Sequence, residues 1–307
     1  MKIYNSIQEF TSTNKTIATL GTFDGVHKGH KTILEKVTKS SKNSNHDSVV
    51  LTFFPHPRMV LQQNTGIELL NTMKEKAFLL DECGIDNLIV HPFDKAFSRL
   101  TAEDFVKTVL VEKLNISKII IGYDHRFGRN RTATIDDLIY FGEQYGFEVE
   151  QISALEVNEV SVSSTKIRNA LNEGDVTTAN EFLGYNYFIT GKVVKGEQRG
   201  RTIGFPTANI AIPEDYKLIP AKGVYVASAE IDGTVVKGMM NIGNRPTVNG
   251  TNQSIEVHFF DLDKDLYGKE LRVSLHKRLR NEEKFASVDA LKQQLIEDKT
   301  AALNYFK

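Results

Sequence analysis

One cysteine, Cys83, stands in a chain of 307 residues. It can close no internal disulfide, and it rules out any metal site built on two thiolates, which fits a reducing compartment. An excess of charge of one sign is also missing. The 38 Lys and Arg residues against 39 Asp and Glu leave a net charge of −1, so the whole chain exerts no pull toward nucleic acid or an anionic membrane surface. Neither is therefore an expected partner. No apolar run approaches a transmembrane span. The N-terminal MKIYNSIQEF places Asn5, Ser6, Gln8 and Glu9 where a signal peptide needs apolar residues, and the expected location is the cytoplasm. Internal repeats and low-complexity stretches are absent too. Nothing in the sequence bears on oligomeric state. What is present is hydrophobic content of 40%, sufficient to fill a core in each of two domains.

Through Gly184 the chain alternates β-rich runs with helical patterns, as a parallel sheet covered on both faces requires. The strands read as 16–20, 48–54, 87–91 and 118–122. Between them lie HKTILEKVTKS, then NTMKEKAFLLDECG closing on Gly84, then TAEDFVKTVLVEKL with Thr101 as N-cap and Asp104 in its first turn. Ligands of such sheets sit beyond the carboxyl ends of the strands. The segments 21–30, 53–58 and 122–128 all emerge there. After Gly184 the texture becomes β-branched and aromatic, broken by Asp-Gly, Asn-Gly and Tyr-Gly turns. That predicts a mostly antiparallel second domain, a barrel or closed sandwich, over 185–307, with 1–184 as the first. Hairpins are expected through Asp232-Gly233 and through Asp265 to Gly268. A last helix should carry Val288, Leu291, Leu295 and Ile296 on one face behind a Ser287 cap.

ATLGTFDGVHKGHKTIL, residues 18–34, is a strand, a glycine-punctuated turn and a helix start that presents His27 and His30. A helix N-terminus offers unpaired N–H groups and partial positive charge to a phosphate. H-x-G-H in this setting is the spacing of nucleotidyltransferases that move an adenylyl group from ATP. VSSTKIRNAL (162–171) adds three hydroxyls, Lys166 and Arg168 at another helix start. Those residues suit a triphosphate, and an isolated S-S-T equally suits a helix cap. FFPHPR contributes His56 and Arg58, as ligand contacts or as a loop histidine and a surface charge. GYDHRFGRNR offers Asp124 at a strand end, with Arg126, Arg129 and Arg131 read as solvent-exposed.

GTFDGVHKGH, TFFPHP, GYDHRFG and SSTKIR, in this order and spacing, resemble the adenylyltransferase half of the bifunctional bacterial riboflavin kinase and FMN adenylyltransferase family, also called FAD synthetase. The resemblance implies ATP binding and adenylyl transfer by His27, His30, Ser164, Thr165 and Arg168. Gly21, Phe23, Asp24, Gly25, Gly29 and Ser163 would complete the nucleotide site. Many members carry asparagine and phenylalanine where this chain has Asp124 and His125. An ionised carboxylate accepts hydrogen bonds and cannot donate them, which alters the contact expected at 124.

In the second domain, GKVVKGEQRGRTIGFPTANI (191–210) is not a Walker loop. Its glycines Gly196, Gly200 and Gly204 suggest a flap over phosphates. Thr207 and Asn209, two apart on an extended segment, offer hard oxygen ligands of the sort Mg²⁺ accepts, or begin a strand with a hydrogen-bonded turn. Glu256 shares a strand face with His258 and Phe260, as the base for a substrate hydroxyl if that face lines the barrel mouth, or as an ordinary surface glutamate. R-T-I-G-F-P-T-A-N, N-I-G-x-R-P-T, the glutamate strand, D-L-Y-G and R-x-E-x-x-F (Arg280, Glu282, Phe285) resemble the riboflavin kinase half of the same family. That likeness implies Mg²⁺ and ATP at Thr207 and Asn209, a Glu256 that activates the 5′-hydroxyl of riboflavin, and cofactor contacts from Gly191, Lys192, Gly196, Gly204 and Arg280. The implied fold is an α/β nucleotidyltransferase-type domain with a parallel sheet, then a six-stranded antiparallel riboflavin kinase barrel with a C-terminal helix. The implied activity is ATP-dependent phosphorylation of riboflavin to FMN, then adenylylation of FMN to FAD. The alternative is that one domain is active and the other is a flavin-binding support. An aminoacyl-tRNA synthetase fragment is disfavoured by the neutral charge and the β-rich second half.

Overall fold

A computed structural model describes residues 1–62, 66–123, 126–153, 162–196, 198–247 and 250–307. The chain divides into two compact units, Met1–Ser163 and Ser164–Lys307.

The first unit is a parallel sheet built from β1 (Lys2–Tyr4), β2 (Thr16–Leu20), β3 (Asp47–Phe53), β4 (Asn87–His91), β5 (Ile116–Gly122) and β6 (Glu148–Ile152) in the order β1-β4-β3-β2-β5-β6. Every residue of β2 is buried, as expected of a central parallel strand with both faces covered. The edge strands β1 and β6 escape a sequence reading because they are short and half-exposed, so neither carries an apolar run. From β2 the chain moves outward through β3 and β4, then returns to the other side of β2 as β5. This reversal opens a crevice at the carboxyl end of β2.

The helices are α1 (Lys28–Ser44), α2 (Pro57–Leu61), α3 (Met73–Glu82), α4 (Ala102–Asp104) and α5 (Ile135–Tyr145). Thr72 and Glu75 cap α3 reciprocally, and Gly84 follows it at φ +75°, the left-handed residue that ends many helices. Thr101 caps α4 through the Asp104 N–H, as the sequence predicts. The chain then winds as a π-helix over Phe105–Lys113 rather than as an ordinary α-helix, with Phe105, Val106, Val109 and Leu110 turned into the core.

The second unit opens with α6 (Ser164–Glu173) and α7 (Val176–Leu183). These helices are tied to the barrel by three hydrogen bonds. The Ala221 N–H donates to the Leu171 carbonyl, Asn180 donates to the Leu275 carbonyl at 2.9 Å, and the Tyr187 N–H donates to the Asn180 side chain at 2.7 Å. The barrel comprises β7 (Phe188–Val194), β8 (Ala208–Ala211), β9 (Gly223–Ile231), β10 (Thr234–Thr247), β11 (Gly250–Phe259) and β12 (Glu270–Arg280). It closes antiparallel in the order β10-β11-β8-β7-β12-β9, which leaves no free edge. A short helix, α8 (Arg199–Thr202), joins β7 to β8, and α9 (Val288–Tyr305) ends the chain.

Asp232 and Gly233, at φ +50° and +79°, turn β9 into β10 as expected of a two-residue hairpin. The second expected hairpin does not form. β11 pairs with β8 and β10, and β12 pairs with β7 and β9. The β7–β8 pair lies between them because a closed barrel must seat those strands somewhere. Ser287 caps α9 through the Ala290 N–H. The buried face of α9 runs through Leu295, Asp298 and Ala302, while Val288 and Ile296 are exposed at 61% and 45%. Apolar spacing alone thus set the face partly wrong, since the helix buries an aspartate that the barrel neutralises.

Candidate active sites

The Gly21–His30 turn sits at the carboxyl end of β2. Gly25 takes φ +89°, while Phe23 and Val26 adopt φ +45° and +38°. A left-handed β-branched residue is strained by about 1–3 kcal/mol, and such strain clusters where a site is built. Val26 is fully buried, so packing holds it there. His27 is the N-cap of α1, its Nδ1 accepting from the His30 N–H at 3.3 Å. One histidine of H-x-G-H therefore starts the helix whose N-terminus presents the other. The two rings stack with centroids 3.6 Å apart, and Phe23 meets His30 edge-on at 5.1 Å. Burial first, then the neighbouring His27 and Lys76, hold the His30 imidazole well below its ordinary pKa. His30 Nδ1 is buried and has no hydrogen-bond partner.

Two further charges complete this site. Asp24 is buried and accepts from the Leu70 N–H at 2.9 Å. Lys76, on α3, is 1% exposed and donates to the Thr22 carbonyl at 2.7 Å. Burial pushes its pKa down to about 8, against the nearby Asp24, which raises it. Sequence reading missed Lys76 because it lies amid an ordinary helical pattern some fifty residues from the turn it serves. At Gly21 the Phe23 ring lies 3.2 Å from where a Cβ would stand, a tight approach. Gly29 is buried in the first turn of α1.

His56 caps α2, accepting from the Arg58 N–H at 3.1 Å. Arg126 and Arg129 are exposed, whereas Asp124 and His125 lie outside the described residues. The S-S-T-K-I-R segment begins α6 in the second unit. Ile167 and Leu171 anchor that helix in the core, Ser163, Thr165 and Lys166 are exposed, and Ser164 and Arg168 are half-buried.

In the barrel, the strand register sets one row of residues side by side. Val194, Asn209, Glu256, Asn241, Val224 and Arg280 are successive partners across β7, β8, β11, β10, β9 and β12. Thr207 donates to the Glu256 carboxylate at 3.0 Å. Glu256 shares its face with His258 and Phe260, which pack with Phe205, and Phe260 belongs with Ala302 of α9. His258 Nδ1 lies 2.8 Å from the Pro206 carbonyl, tying the P-T-A-N segment to β11, and burial holds its pKa below the ordinary value. Asn241 opens the N-I-G-x-R-P-T motif, and only the register reveals that it stands opposite Glu256.

The glycines of this unit serve different ends. A Cβ on Gly196 would stand 2.3 Å from Asn209 Nδ2, so the backbone at Gly196 lies directly on that amide. On Gly191 it would meet Ile210 and the Ala211 carbonyl at 2.5 and 2.6 Å, which is close strand packing. Gly204 needs its freedom for φ +84°. Lys192 is exposed on β7. Among the described residues no group of three or more His, Cys, Asp or Glu could hold a metal. The hard side-chain oxygens of Thr207 and Asn209 are of the kind Mg²⁺ accepts. A cavity of about 470 Å³ lies instead at the hairpin end of the barrel, lined by Asp232, Lys237, Phe260 and Lys264, and contains none of these residues.

Arg280 is committed to Asp298. Its Nε and Nη2 reach the carboxylate at 2.8–3.1 Å, Gln294 adds 3.1 Å, and the guanidinium lies 5.5 Å from the Phe285 ring. This clamp fixes α9 to β12. Breaking it strands a charge, so Asp298→Ala should destabilise the second unit by about 2 kcal/mol, discounted because Arg280 is partly exposed. Urea unfolding followed by a signal from the barrel measures it.

Both units match known families. The FAD synthetase family model covers residues 9–166, and the riboflavin kinase model covers residues 183–306. The bifunctional riboflavin kinase/FMN adenylyltransferase of Escherichia coli (strain K12) is 38% identical over 293 residues, 94% of this chain and 92% of that protein. The chain belongs to this bifunctional family. The family member from Bacillus subtilis (strain 168) is 35% identical over 300 residues, 95% of this chain and 93% of its own length. A crystal structure of a Streptococcus pneumoniae protein described as a macrolide-efflux protein superposes with a TM-score of 0.90 at 31% identity, covering 99% of this chain and 98% of that one. The fold is therefore shared over the full length. No helix among the described residues here is long and apolar enough to cross a membrane.

Proposed function

We propose that this chain phosphorylates riboflavin with ATP in the barrel unit and adenylylates FMN with a second ATP in the first unit. The observation that carries the reading is that each unit holds its own separate constellation: the stacked His27–His30 pair at the switch point of the parallel sheet, and Thr207 hydrogen-bonded to Glu256 on the barrel row.

In the first step the 5′-hydroxyl oxygen of riboflavin attacks the γ-phosphorus of ATP, the bond to ADP breaks, and Glu256 takes the hydroxyl proton. Thr207 orients the carboxylate by its hydrogen bond. Thr207 and Asn209 would hold Mg²⁺, which neutralises charge on the phosphates when bound. Gly196, and Gly204 at the turn before P-T-A-N, let the backbone close over the nucleotide. Arg280 acts in this reading by seating α9 beside the Glu256 face.

In the second step a phosphate oxygen of FMN attacks the α-phosphorus of ATP and pyrophosphate leaves with the bonding pair. Charge rises on the α-phosphoryl oxygens, and catalysis is positioning plus donors aimed at that charge. His27, His30 and the open N–H groups of α1 supply it, with Gly21, Phe23, Asp24, Gly25 and Gly29 shaping the turn. The family resemblance assigns Ser164, Thr165 and Arg168, at the start of α6, to ATP.

The test is to incubate the protein with riboflavin, ATP and Mg²⁺ and separate riboflavin, FMN and FAD over time, with a parallel reaction started from FMN. FMN followed by FAD, and FAD from supplied FMN, are expected. FMN alone would make the first unit a flavin-binding support, and neither product would refute the reading. Omitting Mg²⁺ and adding a chelator should stop both reactions. Gly196→Ala is a sharper probe, because its new methyl must displace the Asn209 amide. FMN formation should fall at least tenfold while FAD formation from FMN stays unchanged.

A further inference from the structure

We propose that Lys76 is a positioning residue for adenylyl transfer: from α3 it pins the Thr22 carbonyl of the catalytic turn and sets the charge that faces His30. The proposal rests on the first-unit turn being the adenylyl-transfer site.

Burying an ammonium is costly, and one neutral carbonyl repays little of that cost. Lys76 is nonetheless 1% exposed, and among the described residues its hydrogen bond is to Thr22 O alone, leaving two of its three N–H donors unspent. An apolar side chain at this helix position would satisfy the core. The charge is therefore retained for what it does to its neighbours. Those neighbours are Asp24, in the turn, and His30, at the start of α1, where His27 adds to the same effect on His30. Asp24 supports the ammonium, and the ammonium in turn disfavours a proton on His30. A neutral His30 presents one N–H to a phosphoryl oxygen as negative charge builds on it, and it does so across the whole neutral pH range. A cationic His30 beside Lys76 would be repelled from its stack on His27. The Thr22 carbonyl also accepts from Thr52 Oγ1 at 3.3 Å, so Lys76 and β3 hold the start of the turn from two sides.

The experiment follows the histidine side chains of the full-length protein by NMR through a pH titration, with His30→Gln to assign the signal. Wild type is compared with Lys76→Met, which removes the charge and the donor, and Lys76→Gln, which removes the charge but keeps a donor. Wild-type His30 should stay neutral well below the pH at which free histidine titrates. In both variants it should titrate at higher pH than in wild type, and FAD formation from FMN should fall about ten- to a hundredfold, chiefly in kcat. FMN formation from riboflavin should be unchanged. The proposal is overturned by a wild-type His30 that titrates at its ordinary pH, a figure obtainable without any variant. It is equally overturned if Lys76→Gln leaves the His30 titration where it was, which would make the lysine a packing element, or if His30 shifts while FAD formation does not change. Failure of the wild type to make FAD from FMN is a different result: it removes the site assignment and leaves the Lys76–His30 coupling measurable.

Discussion

Glu256→Gln is expected to lower the rate of FMN formation from riboflavin by about 10²- to 10⁴-fold, the usual contribution of a positioned general base. Glutamine keeps the shape of the side chain and an oxygen that can accept from Thr207, whose hydroxyl now donates to the carboxylate at 3.0 Å. What it loses is the ability to take the hydroxyl proton. Because β11 holds Glu256 between Asn209 and Asn241 through the ladder, the backbone has no reason to move. FAD formation from supplied FMN should stay within twofold of wild type. Chromatographic separation of the three flavins in both reactions decides it. Equal loss of the two activities would show that the division of labour between the units is wrong.

His30→Ala is expected to act on the other reaction. Removing a donor aimed at developing charge typically costs about 10²- to 10³-fold in kcat. The substitution takes away the imidazole stacked on His27 while sparing the cap itself, since His27 Nδ1 accepts from the backbone N–H of residue 30. His30 is thus a cleaner probe than His27, whose loss would also fray α1. FAD formation from FMN should collapse and riboflavin phosphorylation should persist. A variant that still made FAD at the wild-type rate would refute the phosphate-site assignment.

The two variants probe the parts of the molecule that were most legible beforehand. Four central or near-central strands announce themselves as apolar runs because both of their faces are buried. The caps at Thr101 and Ser287, and the Asp232-Gly233 turn, are local chemistry, formed by residues within three positions of one another. The edge strands β1 and β6 were silent because an exposed face needs no apolar side chains. The supposed β11–β12 hairpin failed for a different reason. Two strands joined by a short, turn-rich segment look alike whether they pair with each other or with strands from elsewhere.

The sequence by itself determined the α/β-then-β order of the chain, the H-x-G-H turn after β2, the P-T-A-N segment and the glutamate strand, since each depends on residues adjacent in the chain. Tertiary structure alone decided that Lys76 reaches the Thr22 carbonyl from α3, that Asn241 stands opposite Glu256, and that Arg280 closes on Asp298. Such partners lie far apart in sequence. Burial and strand register bring them together only once the chain has paid the conformational entropy of folding, and no local pattern of residues records that outcome.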